Sequence, residues 1–242
     1  MSDSPTKAPV AGSADRAPDV RAMFNELAPK YDLGNRVLSL GLDQWWRRQA
    51  IDALLDSREG HVLDLCAGTL DLTKMLADEG AEFVHAADFS ERMLAVGETK
   101  MAETDAYKIH CCDARELPFE DNSMDAIIAG FGLRNVPEVE RALSECARVL
   151  KPGGRIAILD FFQPVGMIPN LLQSTYNKIV VPLVGGLITG AGSSYRYLNE
   201  SIDAFCTADE FVDLLNDVGI DSQARVMLPP VAHLVSGTRR AD

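Results

Sequence analysis

The sequence predicts an α/β protein: an open, mostly parallel sheet of seven strands that ends in an antiparallel hairpin. Three observations predict it. Short apolar runs alternate with segments of helical periodicity from about residue 61 to residue 160. The first apolar run enters a glycine turn, "DLCAGTLDLT" (64–73), and a helical segment follows at once. Near the C-terminus, two strand-like runs follow one another with no helix between them.

Taken in order, "HVLDLCA" is the first strand. "LDLTKMLADEG" follows with Leu72, Met75 and Leu76 on one helical face and Gly80 as its stop. "EFVHAAD" is the second strand, and "SERMLAVGETKMAE" a helix with Ser90 as N-cap. "YKIHCCD" and "SMDAIIAGFG" are the third and fourth strands. "PEVERALSECARVLKPGG" is a helix whose inner face is Val139, Leu143, Cys146 and Leu150, ended by "KPGG". "RIAILDFF" is the fifth strand. Thr207 and Glu210 then have capping-box spacing at the head of "TADEFVDLLNDVGI". Its apolar face is Phe211, Leu214, Leu215 and Val218, with Gly219 as C-terminal cap. The closing hairpin spans about Ser222 to Met227 and Val231 to Gly237. Before the first strand, 21–53 reads as an amphipathic helical extension broken at Pro29 and Gly34, placed to cap a sheet edge or roof a pocket. Residues 1–18, rich in Pro, Ala and Ser, read as a disordered tail without the apolar core of a signal peptide. The expected organisation is one domain over 19–242 with a lid insertion at about 164–204.

Composition narrows the function. The net charge of −13 argues against nucleic acid, which needs clustered Lys and Arg, and against general adhesion to anionic lipid. The apolar run 179–190 is too short to span a membrane, which predicts a soluble, cytoplasmic protein with at most peripheral contact at the inner membrane face. Five cysteines without a CxxC pair read as buried reduced thiols. Four scattered histidines without ligand spacing predict no metal site.

In such sheets a ligand lies beyond the carboxyl ends of the strands, so the first strand-turn-helix is the natural place. The loop lacks the GxGxxG of a dinucleotide site and the GK[ST] of a P-loop. Asp64 lies in the first strand, Asp88 ends the second and Asp113 ends the third. Asp88 can accept both hydroxyls of a ribose, and Asp113 can meet an adenine amino group. An adenosine without provision for phosphates, on a sheet closed by a hairpin, points to S-adenosylmethionine (SAM).

From about Met23 to Gly237 the chain resembles the ubiquinone/menaquinone biosynthesis C-methyltransferase family. The stretches "MFNELAPKYDLGNRVLSLGLDQWWRR", "VLDLCAGTLDLT", "LPFEDNSMDAI", "FGLRNV" and "SYRYLNESI" carry the resemblance. "FGLRNV" and "SYRYLNESI" are specific to the family, whereas "RVLKPGG" is shared by many SAM methyltransferases. The resemblance implies a Rossmann-like class I SAM methyltransferase fold and C-methylation of a polyprenyl hydroquinone, demethylmenaquinol to menaquinol above all. It implies cofactor contacts at Thr69, Asp88, Asp113 and Ala114, beside Asp64 and Gly68 of the loop region. Gly130 stands where the family often has serine, and Asp113 where it often has asparagine. The ring carbon of a quinol becomes nucleophilic when a neighbouring hydroxyl loses its proton, so the acceptor half needs an oxyanion stabilised. On this resemblance Arg134 anchors that anion, Asn135 orients it, a water path takes the proton, and Tyr31, Tyr195, Arg196 and Tyr197 wall the quinol pocket. The apolar segment 168–188 is placed to face a prenyl tail, and a homodimer is compatible with the sequence.

The largest departure is Leu70, where the family has glycine. The expectation is an αR backbone at Leu70, as in the first turn of a helix, with its side chain turned from the ligand. Gly68 then makes the sharp bend alone and Thr69 contacts the cofactor. Two alternatives remain: a SAM methyltransferase for another small molecule, and a non-catalytic methyltransferase-like binding protein if Leu70 fills the adenosyl site.

Overall fold

A computed structural model describes residues 17–101, 105–165, 197 and 200–241. Most of the expected tail and lid, including Tyr195, Arg196 and the 168–188 segment, lies outside the described residues.

The sheet has seven strands: β1 (His61–Leu65), β2 (Phe83–Asp88), β3 (Tyr107–Cys111), β4 (Met124–Gly130), β5 (Leu150–Asp160), β6 (Ile220–Val226) and β7 (His233–Arg239). Their order is β3-β2-β1-β4-β5-β7-β6. The first five are parallel, and β7 runs antiparallel between β5 and β6. The strand order reverses between β1 and β4, which places a crevice beyond the ends of β1 and β2.

Strand alternation separates two cores. Leu63, Leu65, Ile127, Ala129, Ile156 and Ile158 face α6 (Val139–Val149) and α7 (Ala208–Asp217). Val62, Val84, Ala126, Ile128 and Ala157 face α3 (Leu42–Asp52) and α4 (Asp71–Asp78). Ala86, in step with Val84, meets Leu94 of α5 (Glu91–Glu98). The capping features hold: Ser90 accepts from the Met93 N–H, and Thr207 and Glu210 form a reciprocal capping box. Gly80 and Gly219 terminate their helices at φ +89° and +84°.

Several local expectations are corrected. The N-terminal region forms α1 (Ala17–Leu27), a 3₁₀ turn (Ala28–Lys30) and α2 (Tyr31–Leu38). α1 thus starts two residues inside the span assigned to the tail. Pro29 breaks the helix as expected, but α2 runs through Gly34. The second break falls at Leu40 and Gly41, where φ is +53° and +81°. α6 ends at Val149, and "KPGG" lies within β5. There it makes the irregularity between the Met124–Leu150 and Ala126–Arg155 pairings. All five cysteines are free, but only Cys146 is buried: Cys66, Cys112 and Cys206 are half-buried, and Cys111 is exposed on the edge strand β3.

The histidines are less scattered than the sequence suggests. His61, His85 and His110 form a row across β1, β2 and β3, with ring nitrogens 3.4 and 3.2 Å apart. Burial, then the charges of His110 and His61, push the His85 pKa down to about 4, so this imidazole is neutral at pH 7. Among the described residues no group of three or more His, Cys, Asp or Glu is arranged to hold a metal. Among them, too, no helix is long and apolar enough to cross a membrane.

Candidate active site

The turn after β1 is built from three left-handed residues in alternation: Cys66 at φ +57°, Gly68 at +52° and Leu70 at +64°. The αR expectation for Leu70 is therefore wrong, and Gly68 does not bend the chain alone. A non-glycine residue held there costs on the order of 1–3 kcal/mol, so the surroundings must over-determine it. They do. Leu70 is 1% exposed and packs on Ala86 and Leu94, away from the crevice. It fits because α5 carries a glycine opposite. A Cβ at Gly97 would collide with the Leu70 side chain and stand 2.7 and 2.8 Å from the Thr69 carbonyl carbon and oxygen. The glycine absent from the loop is thus matched by one in the facing helix. Gly97→Ala is expected to lower stability by about 1–3 kcal/mol, and Leu70→Ala in the same chain to recover part of that loss. Urea titration of the four-member cycle measures it. Strict additivity of the two substitutions would refute the contact.

Asp88 organises the loop. Its Oδ2 accepts from the Gly68 N–H at 2.9 Å and its Oδ1 from the Ser90 N–H at 2.8 Å. Asp88 also lines the crevice, where its carboxylate has further acceptor capacity. Burial pushes the Asp88 pKa up to about 6, against the pull of those N–H groups. Asp64 lies one layer deeper, fully buried. Its Oδ2 accepts from Thr73 Oγ1 at 2.6 Å while Oδ1 has no partner among the described residues, and burial pushes its pKa up to about 7.

Two hollows meet at Cys66, Asp88, Phe89 and Asn135. Asp113 and Ala114 line the first, and Gly68, Met93 and Tyr31 the second. α1 roofs both: Val20 reaches one and Phe24 the other. Asn25 holds the roof down by accepting from Ser90 Oγ at 2.7 Å. The Phe24 ring meets Tyr31, Phe89 and Tyr197 edge-on, with centroids 6.1, 6.2 and 6.5 Å away. Among the described residues no Lys or Arg lines either cavity.

The sequence-predicted residues divide accordingly. Tyr31, Gly68, Asp88, Asp113, Ala114 and Asn135 are brought together. Thr69 is not on the cavity wall: its hydroxyl donates to Asp32 of α2 and ties the loop to that helix. Lys100 bridges the same Asp32 (2.6 Å) to Asp71 (2.9 Å). Gly130 faces the other way, where a Cβ would stand 2.9 Å from Leu72 Cδ1 and 3.0 Å from Arg47 Nη1. Asp113 lies past the end of β3 with its carboxylate clasped by Arg115, whose Nη2 is 2.8 Å from Oδ2. That bond holds its pKa below the usual range.

Arg134 sits in a 3₁₀ turn (Leu133–Asn135) after β4, behind the cavity wall. Its Nη1 donates to Asp160 Oδ1 and to the Phe131 carbonyl, both at 2.6 Å, and its backbone N–H reaches Asp160 Oδ2 at 3.2 Å. Burial works against the charge, but Asp160 more than offsets it and keeps the Arg134 pKa above the ordinary arginine value. Among the described residues, three buried polar atoms in this neighbourhood have no partner: Arg134 Nε, Asn135 Oδ1 and Tyr197 Oη. Sequence reasoning missed Asp160, although it ends β5 as Asp88 ends β2 and the same strand-end rule would have found it. Phe24, Phe89 and Gly97 were missed too. Only the glycine inside a helical segment carried a signal.

The sheet order, the closing hairpin and the carboxylate at the end of β2 define a class I SAM-dependent methyltransferase fold. Solved structures agree. A SAM-dependent methyltransferase from Thermotoga maritima superposes with TM-score 0.64 at 19% identity, covering 90% of this chain and 99% of that one. The [4+2]-cyclase SpnF superposes with TM-score 0.65 at 17% identity, covering 98% and 99%. These likenesses establish the fold, and the cyclase shows that fold alone does not set chemistry. The sequence is more specific. The profile of the ubiE/COQ5 methyltransferase family matches residues 11–227, and the chain belongs to that family. The demethylmenaquinone methyltransferase of Thermus thermophilus is 41% identical over 221 residues, covering 90% of this chain and all of the relative. The ubiquinone/menaquinone biosynthesis C-methyltransferase UbiE of Geobacter sulfurreducens is 39% identical over 212 residues, covering 85% and 82%.

Proposed function

We propose that the protein transfers a methyl group from SAM to a ring carbon of a polyprenyl hydroquinone, demethylmenaquinol in the first place. The observation that carries this reading is the full-length similarity to the Thermus thermophilus enzyme. The chemistry of the cavity wall supports SAM as the cofactor. Among the described residues it offers the Asp88 carboxylate, an unpartnered buried acceptor at Asn135 Oδ1, and no lining Lys or Arg for a phosphate. Asp88 would hold the ribose, and the Asp113–Ala114 backbone would lie along the adenine, since the Asp113 side chain is committed to Arg115. Bound there, SAM supplies an electrophilic methyl group.

The chain's own residues would act on the acceptor. Burial raises the Tyr31 pKa, which Arg134 lowers only in part, so the phenol keeps its proton at neutral pH and can donate it in a hydrogen bond. Arg134 stays charged and cannot serve as a base. Its Nη1 is held by Asp160 and the Phe131 carbonyl, which leaves Nε and Nη2 as the donors for a developing quinol oxyanion. The proton then leaves through water. α1 and the Phe24 cluster exclude bulk solvent, which strengthens each of these contacts.

The non-catalytic alternative rested on Leu70 filling the adenosyl site. With Leu70 packed on Ala86 and Leu94, that ground is gone. Calorimetry tests the cofactor half: S-adenosylhomocysteine should bind, and no heat at millimolar ligand would overturn the reading. Turnover is expected with the reduced acceptor and not with the quinone, because only the quinol can form the oxyanion. Equal rates with both would remove the assigned role of Arg134.

A further inference from the structure

α2, the turn after it and α3 present a surface unlike the charge of the whole chain. The protein carries −13, yet the exposed residues from 27 to 52 are Pro29, Lys30, Leu33, Leu40, Gly41, Trp45, Arg48 and Asp52, and Asp52 is paired with Arg58 at 3.3 Å. The two acids in that span that precede α3 or open it are turned inward. Asp32 accepts from Thr69 and Lys100, and Asp43 is buried against Arg36 and Ser39. Leu33, Leu40 and Trp45 are 59%, 79% and 46% exposed. The end of β6 continues the face. Arg225 Nη2 donates to Gln49 Oε1 at 3.4 Å and Trp46 Nε1 to the Leu228 carbonyl at 3.0 Å, which lays 225–228 along α3. Val226 and Leu228 are exposed there, Leu228 by 68%.

A single exposed leucine is ordinary; five large apolar side chains on adjoining elements are not. Arg36 and Arg48 have acidic partners in Asp43 and Glu79, whereas Lys30 and Arg225 have none among the described residues. We propose that this face docks on an anionic lipid surface. Leu33, Leu40, Trp45, Val226 and Leu228 enter the headgroup boundary, Trp45 with the amphipathic ring that suits it, and Lys30 and Arg225 meet the lipid charge. The remaining negative surface is repelled and orients the molecule. α2 begins at Tyr31, a residue of the cavity wall, so docking brings that wall toward the bilayer. That this brings the cavity to a prenylated quinol rests on the proposed function; the docking itself does not.

The test is cosedimentation with vesicles of phosphatidylcholine alone or mixed with phosphatidylglycerol, read together with tryptophan emission. Of the two tryptophans Trp46 is buried, so a blue shift reports Trp45. The wild-type protein is expected to pellet with the anionic vesicles, less so as salt rises, and to shift its emission. Leu40→Glu with Leu228→Glu is expected to bind roughly tenfold more weakly without the shift, while binding S-adenosylhomocysteine as the wild type does. Protein that stays in the supernatant with both vesicles overturns the proposal. So does a double variant that pellets undiminished. A lipid-independent dimer that the two substitutions dissociate also overturns it, since the face would then join two copies of the chain. Docking without quinol methylation would uphold the surface and overturn the substrate.

Discussion

Asp88→Ala is expected to abolish S-adenosylhomocysteine binding. The carboxylate holds the Gly68 and Ser90 N–H groups, so its loss removes the ribose acceptor and strands two buried donors, at about 1–3 kcal/mol each. Calorimetry and thermal unfolding read the two effects separately. Affinity within tenfold of wild type would show that the ribose lies elsewhere. Asp88 also sets a pH dependence. Burial raises its folded pKa from 3.8 to about 6, so the stability it contributes is fully present below about 3.8 and is lost as pH rises through 6. Binding runs the other way. The ionised carboxylate is the form that accepts two N–H groups and two ribose hydroxyls at once. Affinity is therefore expected to fall below pH 6, with proton release on binding in that range. Asp88→Asn is expected to flatten this profile.

Arg134→Ala is expected to lose stability and turnover together, and the two losses can be parted. Asp160 is fully buried and takes its charge partner from Arg134. Removing the guanidinium leaves an uncompensated buried carboxylate, at a cost of about 3–5 kcal/mol. Arg134→Met with Asp160→Asn removes both charges and is expected to recover most of the stability. It is not expected to recover the rate, because the guanidinium donors are still missing. Loss of one such donor typically lowers kcat by about 10²–10³. Single-turnover rates at saturating cofactor check this. A double variant with near wild-type kcat would make Arg134 a structural residue only.

The fold was legible because its causes are local. Strand periodicity, Ser90, the Thr207–Glu210 box and the stops at Gly80 and Gly219 each act within a few residues, and each stands where the sequence places it. Gly34 misled because a glycine inside a helix costs only about 1 kcal/mol, which packing readily offsets. The real break at Leu40–Gly41 needs two positive φ values that no composition signal marks for leucine. In the site, Asp88, Asn135 and Tyr31 were legible from strand ends and motif. Leu70 was not, because its conformation is decided by Gly97 on the other side of a buried contact. The partners of Thr69 and Arg134 are Asp32 and Asp160, 37 and 26 residues away, and pairings at such separations have no periodic signature; Asp113 is held by Arg115, only two residues on. The histidine row is the same case, since strand register alone brings the three rings together.

The most direct test of the central claim is label transfer. The protein is incubated with SAM carrying an isotopically labelled methyl group and with demethylmenaquinol kept reduced, and the extracted quinone is analysed by mass spectrometry and NMR. The account predicts one labelled methyl on a ring carbon, formed by the wild type and absent with Asp88→Ala. An unlabelled quinone, or label on oxygen rather than carbon, would contradict it.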